Sequence, residues 1–395
     1  MHGDKKVILH LVFDGILFDR IYTRFEQMTK YENIYLFGII GGDKDYKYIK
    51  KHEKIIHVNT HKEWSEIISN PQIDIIFLHG LWLDYLKAVG YIRDNVMVMW
   101  WCYGMEIYEN CLHWPSLLPM KIYKPKTHLF WLKTMHGFHR VSAELSYSLP
   151  GLYILLLRIV NIIKGIKGDD LRNMLARMDY IFTPLKNEFI KLKDAHPYIK
   201  AAPFVLRAPI VKEELEIHDK AGGVLFEHSS TISNNHLDLI KTLRKKKIDF
   251  SGRHIYIPLS YGSKILSNRI MQEATFDNGY VHCLLEAMPL DDYNKMISSC
   301  SHAFFGMLRQ SGLGNIYMCF QKGIKVFFFK DSILYEQFKN DGYYVYSIEN
   351  DLNNKSIAEP LTPEQAYHNY NLFHTQFDGK AGTYEQQFDK ILNNK

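Results

Sequence analysis

The chain has 395 residues, 47% hydrophobic and 14% aromatic, which suits two ordinary domains with large cores and excludes global disorder. A formal net charge of +5 permits anionic partners such as nucleotides, lipid pyrophosphates or an acidic membrane face, and is too small to argue for nucleic acid. Five scattered cysteines (Cys102, Cys111, Cys283, Cys300, Cys319) have no CxxC spacing, so neither a disulfide framework nor a structural zinc site is expected and a reducing cytoplasm is the simplest compartment.

In chain order, residues 7–13 form a short apolar run closed by Asp14-Gly15, which reads as strand then turn and not as a signal peptide. A helix follows at 18–29, then strands at 33–40, 54–58 and 73–78, the last ending in His79-Gly80. Residues 96–101 form another strand. Buried strands alternating with helices predict a parallel α/β sheet. The regularity breaks over 110–167 and resumes with extended pieces at 179–183 and 204–208. A second α/β series starts at Gly223, with strands expected at 224–226, 254–259, 281–284, 302–307, 325–329 and 343–346 and helices between them. The polar tail from Thr362 reads as helical. The expectation is two doubly wound units: 1–208 and 223–350, joined near 209–222 and facing a central cleft, with a helical extension over 351–395.

Between a strand and a helix lies Arg309-Gln310-Ser311-Gly312-Leu313-Gly314-Asn315. Glycine permits positive φ and close backbone approach, a helix N-terminus offers unpaired N–H groups, and arginine suits phosphate. This is either an anion cradle or a plain tight turn; it is neither GxGxxG nor a Walker loop. A second polar loop, 227–236, crowds Ser229, Ser230, Asn234 and His236 at a strand end, where they bind phosphate or a sugar hydroxyl or simply cap a helix. Tyr261 follows the next strand. Glu286 follows 281–284, where an acid takes base or ribose hydroxyls or stays a solvated loop acid.

In the first unit Glu106, Asp14 and His79, ranked in that order, sit at strand ends as candidates for a base or a charge stabiliser. The aromatic set Trp100, Trp101, Tyr103 and Tyr108 walls a sugar site or fills the core. Residues 149–167 carry an apolar stretch, 152–163, broken by Arg158 and Asn161 and too short to span a bilayer. With Trp114, Trp131, Lys164 and Lys167 near it, the segment reads as an interfacial helix within 110–167, the alternative being a core helix. No DxD motif stands in a suitable place; the pairs Asp169-Asp170 and Asp291-Asp292 read as helix-start acids, so no metal and no cofactor are expected.

Four pieces occur in order: Leu78-His79-Gly80, Trp101-Cys102-Tyr103-Gly104-Met105-Glu106-Ile107-Tyr108-Glu109, Ser233-Asn234-Asn235-His236, and the turn 309–315 with its following Gln321-Lys322-Gly323-Ile324. Together they resemble the TDP-N-acetylfucosamine:lipid II N-acetylfucosaminyltransferase family, a group of 4-alpha-L-fucosyltransferase-like enzymes. The resemblance implies a GT-B fold with metal-free catalysis. It implies a nucleotide-diphosphate sugar donor and a polyprenyl-pyrophosphate-linked acceptor. It implies a peripheral position on the inner face of a bacterial inner membrane. It places donor phosphate contacts on Ser229, Ser230, Asn234, Arg309, Gly312, Gly314 and Asn315; Gln310 shares that turn. The competing readings are a sugar-nucleotide epimerase on the same architecture and a non-catalytic membrane-peripheral binding module.

Overall fold

A computed structural model of the chain describes residues 5–15, 17–42, 45–51, 53–109, 116–118, 120–163, 169–207, 213–276, 278–377 and 382–393. Among these, two parallel sheets form, one in each of two compact units.

The first unit comprises Met1–Pro119, Leu145–Ala208 and Gly379–Lys395. Its strands are β1 Lys6–Val12, β2 Tyr31–Phe37, β3 Ile55–Ile56, β4 Ile73–His79, β5 Met97–Trp101, β6 Tyr180–Phe182 and β7 Ala202–Pro203, in the order β3-β2-β1-β4-β5-β6-β7. The central strands are near-continuous apolar runs because helices cover both faces of a parallel sheet. In β1 and β4 every residue from Val7 to Val12 and from Ile75 to His79 is buried. Strand order reverses between β1 and β4. That is where an open α/β sheet leaves a crevice at its carboxyl edge.

The second unit comprises Met120–Glu144 and Pro209–Asp378. Its strands are β8 Gly223–Phe226, β9 Arg253–Pro258, β10 Gly279–Leu284, β11 Cys300–Phe305, β12 Lys325–Phe328 and β13 Val345–Ser347, in the order β10-β9-β8-β11-β12-β13. All neighbours are parallel, and the order reverses between β8 and β11. The core on one face joins Val224, Phe226, Ile255 and Ile257 to Leu237, Leu243, Leu266 and Ile270 of the helices His236–Lys245 and Lys264–Glu273.

The grouping of residues departs from the expected boundaries in two places. Residues 120–144 pack with the second unit, because the helix Pro125–Thr134 is held by side chains from that unit. The Asp238 carboxylate accepts from the Lys126 N–H (3.0 Å) and the Thr127 N–H (2.7 Å), capping that helix, and Asn235 Oδ1 accepts from the Lys124 N–H at 2.8 Å. The tail does not form one extension. The helix Pro363–Phe377 stays with the second unit, whereas Tyr384–Asn393 returns to the first. There Phe388, fully buried, packs edge-on against Phe25 and Tyr31, and Gln387 donates to and accepts from the Arg207 backbone (3.0 and 2.8 Å). Burying one such phenylalanine stabilises by about 1.5–3 kcal/mol.

The irregular stretch 110–167 contains the helices Pro125–Thr134, Gly137–Ser148 and Pro150–Ile163. The extended piece expected at 204–208 lies instead at Ala202–Pro203. Cys111, Trp114, Lys164, Lys167 and part of the 209–222 joint lie outside the described residues; Cys102, Cys283, Cys300 and Cys319 are free thiols.

Candidate functional site

In the second unit, loops leaving β8, β9 and β11 are tied together at the strand-order reversal. The Ser230 N–H and Oγ both donate to the Tyr261 carbonyl (2.8 and 2.9 Å), and the Ser263 N–H donates back to the Ser230 carbonyl at 3.1 Å. Gly262, at φ 119°, makes this approach possible: a Cβ there would stand 2.6 Å from the Ser230 carbonyl carbon. Across β8, the Gly306 N–H donates to Glu227 Oε1, and Asn235 Nδ2 donates to the Gly306 carbonyl at 3.0 Å.

The turn 309–315 closes the arrangement. Arg309 Nε donates to Ser233 Oγ (3.0 Å), and Ser311 Oγ meets His228 Nε2 at 3.2 Å. Gly312 caps the nine-residue helix Leu313–Gln321 in the left-handed region (φ 62°), and a Cβ there would lie 2.6 Å from His228 Nδ1. Gly314 faces open space, with nothing within 4 Å of where its Cβ would be. The turn seats an imidazole and an arginine at the start of a helix whose first N–H groups favour anions.

Several polar atoms here are buried without a hydrogen-bond partner: Glu227 Oε2, His228 Nδ1, Asn234 Oδ1 and both ring nitrogens of His236. Each such group costs about 1–3 kcal/mol when left unmade, so the cluster makes this spot a candidate ligand site. Burial, with Arg309 adding to it, lowers the His228 pKa to about 4; burial and the neighbouring His228 lower that of His236 to about 3. Burial pushes the Glu227 carboxyl well above its ordinary value, opposed by the Gly306 N–H. At neutral pH the two imidazoles are uncharged.

The structure thus gathers Ser229, Ser230, Asn234, His236, Tyr261, Arg309, Gln310, Gly312, Gly314 and Asn315 on adjoining loops and the helix starts that follow them. Their duties differ. Asn234 Nδ2 donates to the Ser229 carbonyl and Oγ (2.9 and 3.2 Å), so this pair shapes the loop. Asn315 Nδ2 donates to the Tyr293 hydroxyl at 2.9 Å. Gln310 accepts from Arg309 Nη1 through its carbonyl at 3.3 Å. Glu286 is not brought in: it is exposed beyond the end of the edge strand β10, on the far side of β9 from the reversal. Sequence reading passed over Glu227 and His228 as site residues. Their signal was position: they open the first loop after the first strand of the unit, beside the reversal.

In the first unit, Asp14 is a structural acid. Its carboxylate accepts from the N–H groups of Lys47 (2.7 Å), Tyr48 (2.9 Å) and Ile49 (3.0 Å), clamping a distant loop. His79 is buried, with Nε2 3.0 Å from His10 Nδ1 and Nδ1 3.4 Å from the Tyr103 hydroxyl. Asn33 fixes the proton positions along this chain. Its Nδ2 donates to the Phe25 carbonyl (2.9 Å), so its Oδ1 accepts from His10 Nε2 (3.1 Å). His10 Nδ1 then accepts from His79 Nε2, leaving His79 Nδ1 to accept from Tyr103. Burial holds both imidazoles well below their ordinary pKa, so neither is a ready base.

Glu106 is buried in the short helix Met105–Tyr108, and its Oε1 accepts from the Tyr103 N–H at 3.0 Å. Burial raises its pKa. A side chain on Gly80, at φ 81°, would meet Trp82 Nε1 at 3.0 Å, Phe13 at 3.4 Å and Glu106 Oε1 at 3.6 Å. Phe13, Gly80, Trp82, Tyr103 and Glu106 thus line one spot at the β1/β4 reversal. Trp100, Trp101 and Tyr108 are buried core, and of that aromatic set Tyr103 and the Trp100 side chain stand beside Glu106.

Residues 205–388 match the family described as 4-alpha-L-fucosyltransferase, glycosyl transferase group 56. Solved structures of similar fold include sucrose-phosphate synthase from Thermosynechococcus elongatus (TM-score 0.57, 9% identity, 99% of each chain covered). A lipopolysaccharide outer core galactosyltransferase is similar at TM-score 0.55 and 10% identity over 99% of each chain. An alpha,alpha-trehalose-phosphate synthase (UDP-forming) from Burkholderia vietnamiensis is similar at TM-score 0.55 and 7% identity over 100% of each chain. The fold is that of the GT-B glycosyltransferases.

The two glycines of the turn respond differently to substitution. Gly312→Ala introduces a side chain at φ 62° against His228 and lowers unfolding free energy by about 1–2 kcal/mol. Gly314→Ala, facing open space in a helix, is neutral or stabilising by up to about 1 kcal/mol. Urea denaturation separates them, and equal effects would contradict the close seating of His228 on the turn.

Proposed function

On the premise that this chain is a GT-B glycosyltransferase whose residues 205–388 match the fucosyltransferase family, we propose that it moves a deoxy or acetamidodeoxy sugar from a nucleotide-diphosphate donor to a lipid-linked glycan. The carrying observation is the cradle at the β8/β11 reversal. Arg309, the Gly312 cap and the first turn of Leu313–Gln321 converge where a diphosphate gains charge as it leaves. Ser229, Ser230, Asn234 and Asn315 shape the loops around it. In this reading those groups serve as the counter-charge that a metal ion supplies elsewhere.

The acceptor hydroxyl needs a base, and Glu106 is the candidate in the first unit. Its carboxyl is buried beside Gly80, and its raised pKa sits nearer the operating range of a general base than an ordinary glutamate's. Activity then falls as the pH drops through that raised pKa, because the carboxylate is the working form.

The acceptor's lipid calls for a membrane contact. No described helix is long and apolar enough to cross a membrane. The helix Pro150–Ile163 buries Tyr153 and Leu157 and turns Leu152, Leu155, Leu156, Ile159, Ile162 and Ile163 outwards; the last two are 73% and 79% exposed. An apolar face on a helix punctuated by Arg158 supports an interfacial position on the inner face of an anionic membrane.

Three measurements test the proposal. One of TDP, UDP and GDP raises the melting temperature, and Arg309→Ala abolishes that shift and lowers kcat by roughly 10²–10³-fold; absence of any shift removes the donor reading. Glu106→Gln lowers transfer by about 10²–10⁴-fold while donor affinity stays within about twofold, and retained turnover removes Glu106 as base. The Leu155→Asp/Ile159→Asp double variant keeps its circular dichroism and loses co-sedimentation with phosphatidylglycerol-containing vesicles by about tenfold or more. Unchanged sedimentation assigns that face another role.

A further inference from the structure

Glu227 is the outlier of the second unit. It is fully buried, its backbone stands at φ 61° in the left-handed region that non-glycine residues rarely occupy, and it lies at the strand-order reversal. Strain of this kind persists where surrounding structure enforces it, and it gathers at functional positions. What the strain achieves here is aim. Oε1 takes the Gly306 N–H, and Oε2, with no hydrogen-bond partner, lies 3.8 Å from His228 Nδ1, which is also unpartnered. The other edge of that imidazole, Nε2, rests on Ser311 Oγ inside the anion cradle.

Resting on the donor reading above, we propose that Glu227 and His228 act as a proton-carrying pair that protonates the departing diphosphate. In the free protein the proton resides on Glu227 Oε2, and neutral His228 carries its own proton on Nε2, donated to Ser311. Arrival of the diphosphate reverses the local field. The groups facing His228 are Glu227, His236 and Arg309, and a bound anion favours the imidazolium that burial and Arg309 disfavour. The Glu227 proton then passes to His228 Nδ1, leaving a carboxylate beside an imidazolium.

As the acceptor hydroxyl attacks the anomeric carbon, the carbon–oxygen bond to the diphosphate breaks and its electron pair goes to that oxygen. His228 Nε2–H delivers its proton there, leaving the imidazole neutral with its remaining proton on Nδ1. The acceptor's proton goes to its base. Release of the protonated diphosphate and uptake of one solvent proton by Glu227, with return of the imidazole to its starting tautomer, restore the pair.

The test follows the His228 ¹³Cε1 resonance at pH 7 with saturating TDP, UDP or GDP, whichever gives the largest thermal shift. Net proton uptake is measured by calorimetry in two buffers of different ionisation enthalpy. In the wild type His228 becomes an imidazolium with almost no net uptake, because the proton comes from Glu227. In Glu227→Gln the imidazolium forms only with uptake from solvent, approaching one proton per nucleotide. His228→Gln, which retains a donor for Ser311, lowers kcat by about 10²-fold or more with donor KM within about threefold. Nucleotide binding that leaves wild-type His228 neutral, or full turnover in His228→Gln, overturns the pair while leaving the donor site standing. Failure of all three nucleotides to bind overturns the donor reading and this pair together.

Discussion

A parallel sheet whose chain order reverses cannot bridge the reversal with a helix, so two neighbouring strands send their loops in opposite directions. In this protein that constraint falls between β8 and β11, and the structure there depends on how the opening is closed. It is closed by polar groups and not by packing. A carboxyl on one strand end takes a backbone N–H from the other, an asparagine side chain takes the matching carbonyl, and a left-handed glycine lets an imidazole lie against the next helix. A fully apolar closure would leave no candidate anion site. A fully satisfied polar closure would leave nothing for a ligand to complete.

The first unit closes its own reversal with a different set of groups. Its reversal is lined by Phe13, Gly80, Trp82, Tyr103 and Glu106, and behind them a chain from Asn33 through His10 and His79 to Tyr103 has one consistent set of proton positions. Imidazoles buried this deeply cannot charge at neutral pH, so they hold Tyr103 in place and do not titrate. The carboxyl of Glu106 is the acid at this spot, since Asp14 is committed to three backbone donors.

Much of this was legible in the sequence. Apolar runs such as 73–78 and 302–307 announce buried parallel strands, because both faces are covered, and the glycine turn after β11 announces itself by residue type. What was hidden depends on partners far apart in the chain or on backbone geometry. Nothing local says that Asp238 caps a helix more than a hundred residues earlier, or that Phe388 completes a core begun by Phe25. A glutamate at positive φ carries no compositional mark, so Glu227 and His228 read as the start of a polar loop. Asp14 is ambiguous for the opposite reason. A turn acid and a catalytic acid look alike until their hydrogen bonds are seen.

The path of the chain has a practical consequence. It passes between the two units four times, at 119/120, 144/145, 208/209 and 378/379. The second unit cut at the obvious joint would lose the helix that Asp238 and Asn235 cap, and the first would lose Tyr384 and Phe388 from its aromatic core. Hybrids built by a single crossover between the two units would therefore leave both halves incomplete. Recombination of this scaffold has to carry each inserted helix along with its host.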